Sequence, residues 1–236
     1  MKEEIITIQT KELYDLAYPY MSVICGYDRS TAMAQKSQKQ AMKLREKIFD
    51  DTTIDFLIAP FGKECVKGDA FLFDDQTIPC DFLNNIAPDS IQGGYAFMFH
   101  APMPDLSAYS VSDMYAADSW ETCFVDAGRD VLRQLLLKKY SAENRGVHYI
   151  TDTMAPGLFG MKASSLHSFF KMMDGAKINL ALLNSGMMDP LKSFAGIFLI
   201  LDREQIQSSM DCANCLSDGK NCNYCKNYTV NYMLTN

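Results

Sequence analysis

The chain has 236 residues, 48% hydrophobic and 22% charged, which is enough to bury a sizeable core and excludes disordered, collagen-like and low-complexity classes. Lys and Arg number 22 against 29 Asp and Glu, a net charge of −7, so no overall basic field exists to hold nucleic acid or an anionic membrane surface. No run approaches the roughly 18 to 20 apolar residues of a membrane span, and the opening MKEEIITIQTKE lacks the basic and apolar regions of a signal peptide, so a cytoplasmic protein is expected.

Lys11 to Cys25, apolar and aromatic, reads as a helix, and so does the polar run Arg29 to Asp50, with a break near Gly26. Asp28 or Ser30 is the expected N-cap of the second, since a short side-chain oxygen can take an unpaired N–H of the first turn. FLIAP (56–60), the segment around AFLF (70–73) and YAFMF (95–99) are short apolar runs bounded by Gly, Pro or Asp, the signature of strands. Asp113 to Tyr140 contains no Pro and spaces Trp120, Cys123, Phe124, Ala127, Val131, Leu132 and Leu135 by threes and fours, predicting one long helix with a buried stripe. VHYI (147–150) reads as a strand and Lys162 to Asp174 as a helix stopped by Gly175. INLALL (178–183) and FAGIFLIL (194–201) follow as strands. Helices and strands alternate without a regular βαβ period, so an α+β fold with a mixed, largely antiparallel sheet flanked by helices is expected. From Ser208 the composition changes to Cys, Asn, Asp, Ser and Gly, giving a main domain at 1–207 and a small tail at 208–236.

The eight cysteines fall into two populations. Cys25, Cys65, Cys80 and Cys123 are scattered among apolar neighbours. Cys212, Cys215, Cys222 and Cys225 form C-x2-C-x6-C-x2-C, with a Ser-Asp-Gly stretch between the pairs that can reverse the chain. Two thiolates two residues apart can bind one metal from a tight turn, and four suit zinc or an iron–sulfur cluster. The spacing does not choose between the two metals, and a pair of disulfides is disfavoured by a reducing compartment. None of His100, His148 and His167 lies in a helical H-E-x-x-H pattern or in a D-x-H-x-x-G loop, and no G-x-S-x-G elbow, phosphate-binding P-loop or G-x-G-x-x-G fingerprint occurs. Two clusters remain, TMAPGLFGM (153–161) and LLNSGMMDPLKSFAG (182–196). In the first, a Pro-Gly turn and a second Gly before a helix let backbone approach a ligand and present free N–H groups to it. Either cluster reads equally as an ordinary connection, the second with Met187 and Met188 packed in a core.

At these clusters the chain resembles the activation domain of cobalamin-dependent methionine synthase, in the free-standing form with a cysteine-rich tail. The family pattern is R-x-x-P-G-Y before a helix, then I-x-L-T-E-S-x-x-M-x-P-x-x-S-x-x-G. Pro156 and Gly157 match the first part, and LHSFFKMMDGAKINLALLNSGMMDPLKSFAG matches the second with order and spacing kept. The resemblance runs from about Tyr149 to Leu201, and more weakly through the long helix from Asp113. It implies a C-shaped α+β domain that binds S-adenosylmethionine in a shallow groove and docks on a corrinoid carried by a partner protein or methyltransferase, with an electron donor supplying one electron. Oxidised cob(II)alamin is there reduced and remethylated, so the chain is expected to be an accessory reactivation factor, with no catalytic residue of its own assigned. Carried over, the ligand contacts fall on Thr153, Ala155, Pro156, Gly157, Leu158 and Asn184. Thr153 stands where the family has an arginine for the ligand carboxylate, Leu158 where it has a tyrosine, and Asn184 where it has a glutamate. The alternatives are a partner-docking module with a structural zinc knuckle and an iron–sulfur electron-delivery protein.

Overall fold

The computed structural model describes residues 2–25, 31–158 and 160–204. The described residues divide into two compact units, one made of 2–8, 54–101, 128–158 and 160–204, the other of 9–25, 31–53 and 102–127. The four tail cysteines lie outside the described residues. Among those described, no helix is long and apolar enough to cross a membrane.

In chain order the elements are β1 (Glu4–Gln9), α1 (Tyr14–Cys25), α2 (Ala32–Phe49), β2 (Thr53–Gly62), β3 (Val66–Lys67), β4 (Ala70–Phe73), β5 (Gln76–Pro79), β6 (Ile91–His100), α3 (Val111–Glu143), β7 (Tyr149–Ile150), α4 (Leu166–Met172), β8 (Ala181–Leu182), β9 (Met188–Asp189) and β10 (Ser193–Leu201). The fold is mixed α+β. Its main sheet has the order β1-β2-β6-β10-β7, with β2 on β6, β6 on β10 and β10 on β7 all antiparallel. β3, β4 and β5 make a second sheet, whose β4–β5 hairpin turns at Asp74, and β8 and β9 form a two-stranded hairpin.

In the first unit the main sheet is covered on both faces, which is why YAFMF and FAGIFLIL read as continuous apolar runs rather than alternating ones. Leu57, Ala96, Met98, Ile197 and Leu199 pack with Phe71, Ile78, Leu166 and Phe169 on one side. On the other, Phe97 stacks on Phe198 at 4.7 Å between ring centres and Phe56 meets Phe99 at the same distance. The second unit is helical. Leu13, Ala17, Met21, Phe49, Trp120 and Phe124 are fully buried there, and Arg45 is held with its guanidinium 3.8 Å from the Tyr14 ring centre and 5.2 Å from that of Trp120. Pro19 lies inside α1, where it removes one helical N–H donor.

Several expectations need correcting. The cap of α2 is Thr31, whose hydroxyl accepts the Ala34 N–H at 3.1 Å, rather than Asp28 or Ser30; it is the residue directly before the first helical one, with extended backbone. The helix expected over 162–174 is shorter, Leu166–Met172 after a 3₁₀ turn at Ala163–Ser165, and the strand at 147–150 keeps only Tyr149 and Ile150. The strand expected over 178–183 is reduced to β8, Ala181 and Leu182. Gly175–Ile178 is a 3₁₀ turn, Asn179 adopts a left-handed conformation (φ 56°), and the Leu180 N–H returns to the Gly175 carbonyl at 2.9 Å, leaving only Ala181 and Leu182 extended. A local turn there uses the backbone groups a strand would have paired. The sequence reading also passed over β1 and β5. In the long helix the stripe is as expected at Trp120, Cys123, Phe124, Ala127 and Leu132, with Leu136 buried and Val131 and Leu135 half-buried.

Candidate functional site

The segment after β7 continues along β10 with an irregularity. Ile150 pairs with Ile200 and Met154 with Ile197, so four steps of one chain oppose three of the other. An extra residue of this kind is a bulge, which re-aims the side chains around it. Within it the Thr151 N–H donates to the Leu199 carbonyl at 2.9 Å, while the Leu199 N–H is taken by the Thr151 hydroxyl at 3.0 Å instead of by a carbonyl. The outward carbonyls are held from α3: Arg133 donates to Ile150 O at 2.8 Å and Thr151 O at 3.0 Å. Its Nη1 also stands 3.7 Å from an Asp152 oxygen. Burial pushes the Asp152 carboxyl above its usual range, with Asp130 adding to the rise and Arg133 and Arg129 pulling the other way.

The bulge sets the next residues. Met154 points to the core shared with Leu166 and Phe169, and Thr153 to the opposite face, where its methyl carbon lies against Gly196. A Cβ at Gly196 would stand 2.6 Å from the Thr153 Cγ2 and 3.1 Å from both Met154 O and Phe97 Cζ, so only glycine admits this close crossing. Thr153 and Ala155 are buried, Pro156 half-buried, and Gly157 and Leu158 exposed. Gly157 has φ +89°, and a Cβ placed on it would meet no atom within 4 Å, so the turn needs glycine for its backbone and not for space.

The expectation that this turn offers free N–H groups is overturned. Gly157 N–H donates to Met161 O at 2.8 Å and Leu158 N–H to Ala155 O at 2.8 Å, with Met161 N–H returning to Leu158 O at 3.0 Å. The loop satisfies itself, because a Pro-Gly turn closed by a second reversal at Gly160 brings its own carbonyls within reach. What it can present to a ligand is an exposed apolar side chain, Leu158, and an open backbone surface at Gly157.

Asn184 stands at the tip of the β8–β9 hairpin, exposed, with Leu183 N–H bonded to Met187 O at 2.8 Å and Gly186 N–H to Leu183 O at 2.9 Å. Among the described residues no hydrogen bond or ion pair joins this tip to the 153–158 loop. The pair Met187 and Met188 is not a core feature as a unit: Met187 is exposed and Met188 half-buried.

Sequence reasoning missed Arg133 and Asp152, while Gly196 stood in it only as the last residue of the matched pattern. Arg129 and Arg133 are one turn apart on α3, a spacing that puts both on one face and that could have been read from the sequence. Elsewhere, His100 has its two ring nitrogens 2.6 and 2.8 Å from the carbonyl oxygens of Ala101 and Ile178, and His148 packs edge-on to Tyr140. Burial pushes the Cys80 thiol up to about 11, marking it as an inert core thiol. Among the described residues no cluster of three His, Cys, Asp or Glu could hold a metal ion.

No family model and no curated protein matches the chain. A solved structure described as the MetH reactivation domain bound to AdoHcy matches it with a TM-score of 0.63 at 12% identity, covering 89% of this chain and 81% of that one. At that identity the likeness is one of fold, and it shows that this chain is built as a reactivation-domain-like mixed α+β protein.

Proposed function

We propose that this chain is an accessory factor of corrinoid-dependent methyl transfer, binding an adenosyl ligand against the 153–158 loop and acting on a corrinoid carried by a partner protein. The observation that supports it is the fold shared over 89% of the chain with a domain solved with AdoHcy bound. In this reading a separate electron donor would supply one electron to the partner's corrinoid, and S-adenosylmethionine held by this chain would supply the methyl group, leaving S-adenosylhomocysteine. The chain's own contribution is to hold and orient the methyl donor. Thr153 and Asn184 lack the charges of the family pattern, and each charge-assisted hydrogen bond is worth about 1.5 to 3 kcal/mol, so binding should be weak. Calorimetric titration of the full chain with S-adenosylhomocysteine should give saturable one-to-one binding with a Kd of about 10 µM to 1 mM. No binding at millimolar ligand would remove the adenosyl reading and leave partner docking, which the self-satisfied N–H groups of Gly157 and Leu158 favour.

The tail cysteines carry a separate proposal, one metal held jointly by Cys212, Cys215, Cys222 and Cys225. Replacing Cys212 and Cys225 by Ser should abolish stoichiometric metal in anaerobically purified protein. Iron with sulfide and a brown colour would mean a redox cluster, one zinc a structural knuckle, and full metal in the double variant would refute the ligand set.

A further inference from the structure

Three sulfur atoms converge in the helical unit. Met21 and Cys25 are four residues apart on α1, a spacing that puts both on one face, and the Cys25 thiol donates to the Met21 thioether sulfur at 3.7 Å. From α3, 102 residues further along the chain, the Cys123 thiol donates to the same sulfur at 3.9 Å. Neither cysteine is in a disulfide. Three sulfurs bound in a plane at about 2.3 Å from one ion stand about 4 Å apart, so two edges of the triangle already have the length a metal requires. Met21 and Cys123 are fully buried. Cys25, the last residue of α1, is half-buried, which leaves room for the third edge to close and gives an ion a way in. Among the described residues no third His, Cys, Asp or Glu completes the group, so the donors are two thiols and a thioether. Such a soft set selects Cu(I) over zinc, which takes four ligands, and over Cu(II), which prefers a tetragonal set of nitrogen and oxygen.

We propose that Cys25, Cys123 and Met21 form a three-coordinate site for one cuprous ion. The site depends neither on the adenosyl reading nor on a metal in the tail. Binding exchanges two thiol protons, both directed at the Met21 sulfur, for the cation. Both protons pass to the buffer, no electron moves, and the two thiolates with Cu(I) carry one negative charge. A buried charge of that kind is costly without a partner or solvent, and the half-buried Cys25 keeps part of it in contact with water. Met21 holds the third position without adding charge, which a third thiolate would do.

The test uses the full-length chain with Cys212, Cys215, Cys222 and Cys225 replaced by Ser, so that the tail takes no copper. Anaerobic titration with Cu(I) against bicinchoninate, a coloured competitor, should give one ion per chain, and X-ray absorption should show three sulfurs at about 2.3 Å. Cys25→Ser should weaken binding at least about a hundredfold, and Met21→Leu, which keeps the volume and loses the sulfur, at least about tenfold, with the sulfur count falling to two. Cys65→Ser, in the other unit, should change nothing. Far-ultraviolet circular dichroism shows whether each chain folds. If the tail-substituted chain does not, the same single substitutions in the unaltered chain should each remove one Cu(I) from its total. Absence of copper from the folded tail-substituted chain, or full affinity in Cys25→Ser, would overturn the site. Unchanged affinity and sulfur count in Met21→Leu would overturn the role of the thioether and with it the three-coordinate assignment.

Discussion

Trp120→Ala should lower stability by about 3 to 5 kcal/mol, the largest loss expected from any single substitution in the helical unit. Trp120 is the chain's single tryptophan and is fully buried. It stacks near Phe124 at 5.8 Å and donates its ring N–H to the Ala41 carbonyl at 3.0 Å, tying α3 to α2. The alanine variant loses the transfer free energy of the ring, leaves a cavity beside Arg45, and loses the N–H donated to Ala41, whose carbonyl keeps its bond within α2. Trp120→Phe keeps most of the apolar volume and leaves no buried group unpaired, so its cost should be smaller, about 1 to 2 kcal/mol from one net hydrogen bond and the missing ring atoms. Denaturant titration followed by far-ultraviolet circular dichroism measures both. A loss under about 1 kcal/mol for the alanine variant would contradict the packing described, since removal of so large a buried ring is never that mild when its site is close-packed.

Gly196→Ala is the second. The added carbon would stand 2.6 Å from the Thr153 Cγ2 and 3.1 Å from Met154 O, separations that force the bulge off β10. Overpacking of this sort costs about 1 to 3 kcal/mol, which for a chain of this size corresponds to a fall in Tm of roughly 2 to 4 °C for each kcal/mol. The clash has an identified far side, so it can be relieved there. Thr153→Ser removes the offending methyl, and the double variant Gly196→Ala with Thr153→Ser should recover part of the lost stability, giving non-additive energies as residues in contact do. Strict additivity in thermal melts of the two single variants and the double one would mean that Thr153 does not lie on Gly196. Under the proposed function the same displacement should also weaken S-adenosylhomocysteine binding in the Gly196→Ala chain, because the 153–158 loop hangs from the bridge between Met154 and Ile197.

Much of this architecture is legible in the chain. The stripe Trp120, Cys123, Phe124, Ala127 and Leu132 announces the long helix because 3.6-residue periodicity is a property of the local backbone, and no proline interrupts it. FAGIFLIL and YAFMF announce strands because an apolar run with Gly or Pro at its borders has few other uses. Where local signals were ambiguous the reading failed. INLALL looks like a strand, but the turn closed between Gly175 and Leu180 depends on one backbone hydrogen bond that no apolar pattern records. EIITIQ at the start is a strand only because β2 offers it a partner, and pairing is decided by residues far away in sequence.

The candidate site divides along the same line. Sequence alone determined that TMAPGLFGM is a glycine-bearing turn before a helix, since Pro156 and Gly157 carry their conformational preferences with them. It also determined the order and spacing on which the family resemblance rests, and the identity of the residues at 153, 158 and 184. Tertiary structure decided what those residues face. The extra residue between Ile150 and Met154 is visible only against β10, and it turns Thr153 onto Gly196 and Met154 into the core. The N–H groups of Gly157 and Leu158 are used up by the loop's own carbonyls at Met161 and Ala155, a local closure that needs no distant element. Arg133 sits about twenty residues before the loop and acquires its role only when α3 is laid beside the bulge, because Coulomb and hydrogen-bond partners are chosen by distance in space, which chain separation does not encode.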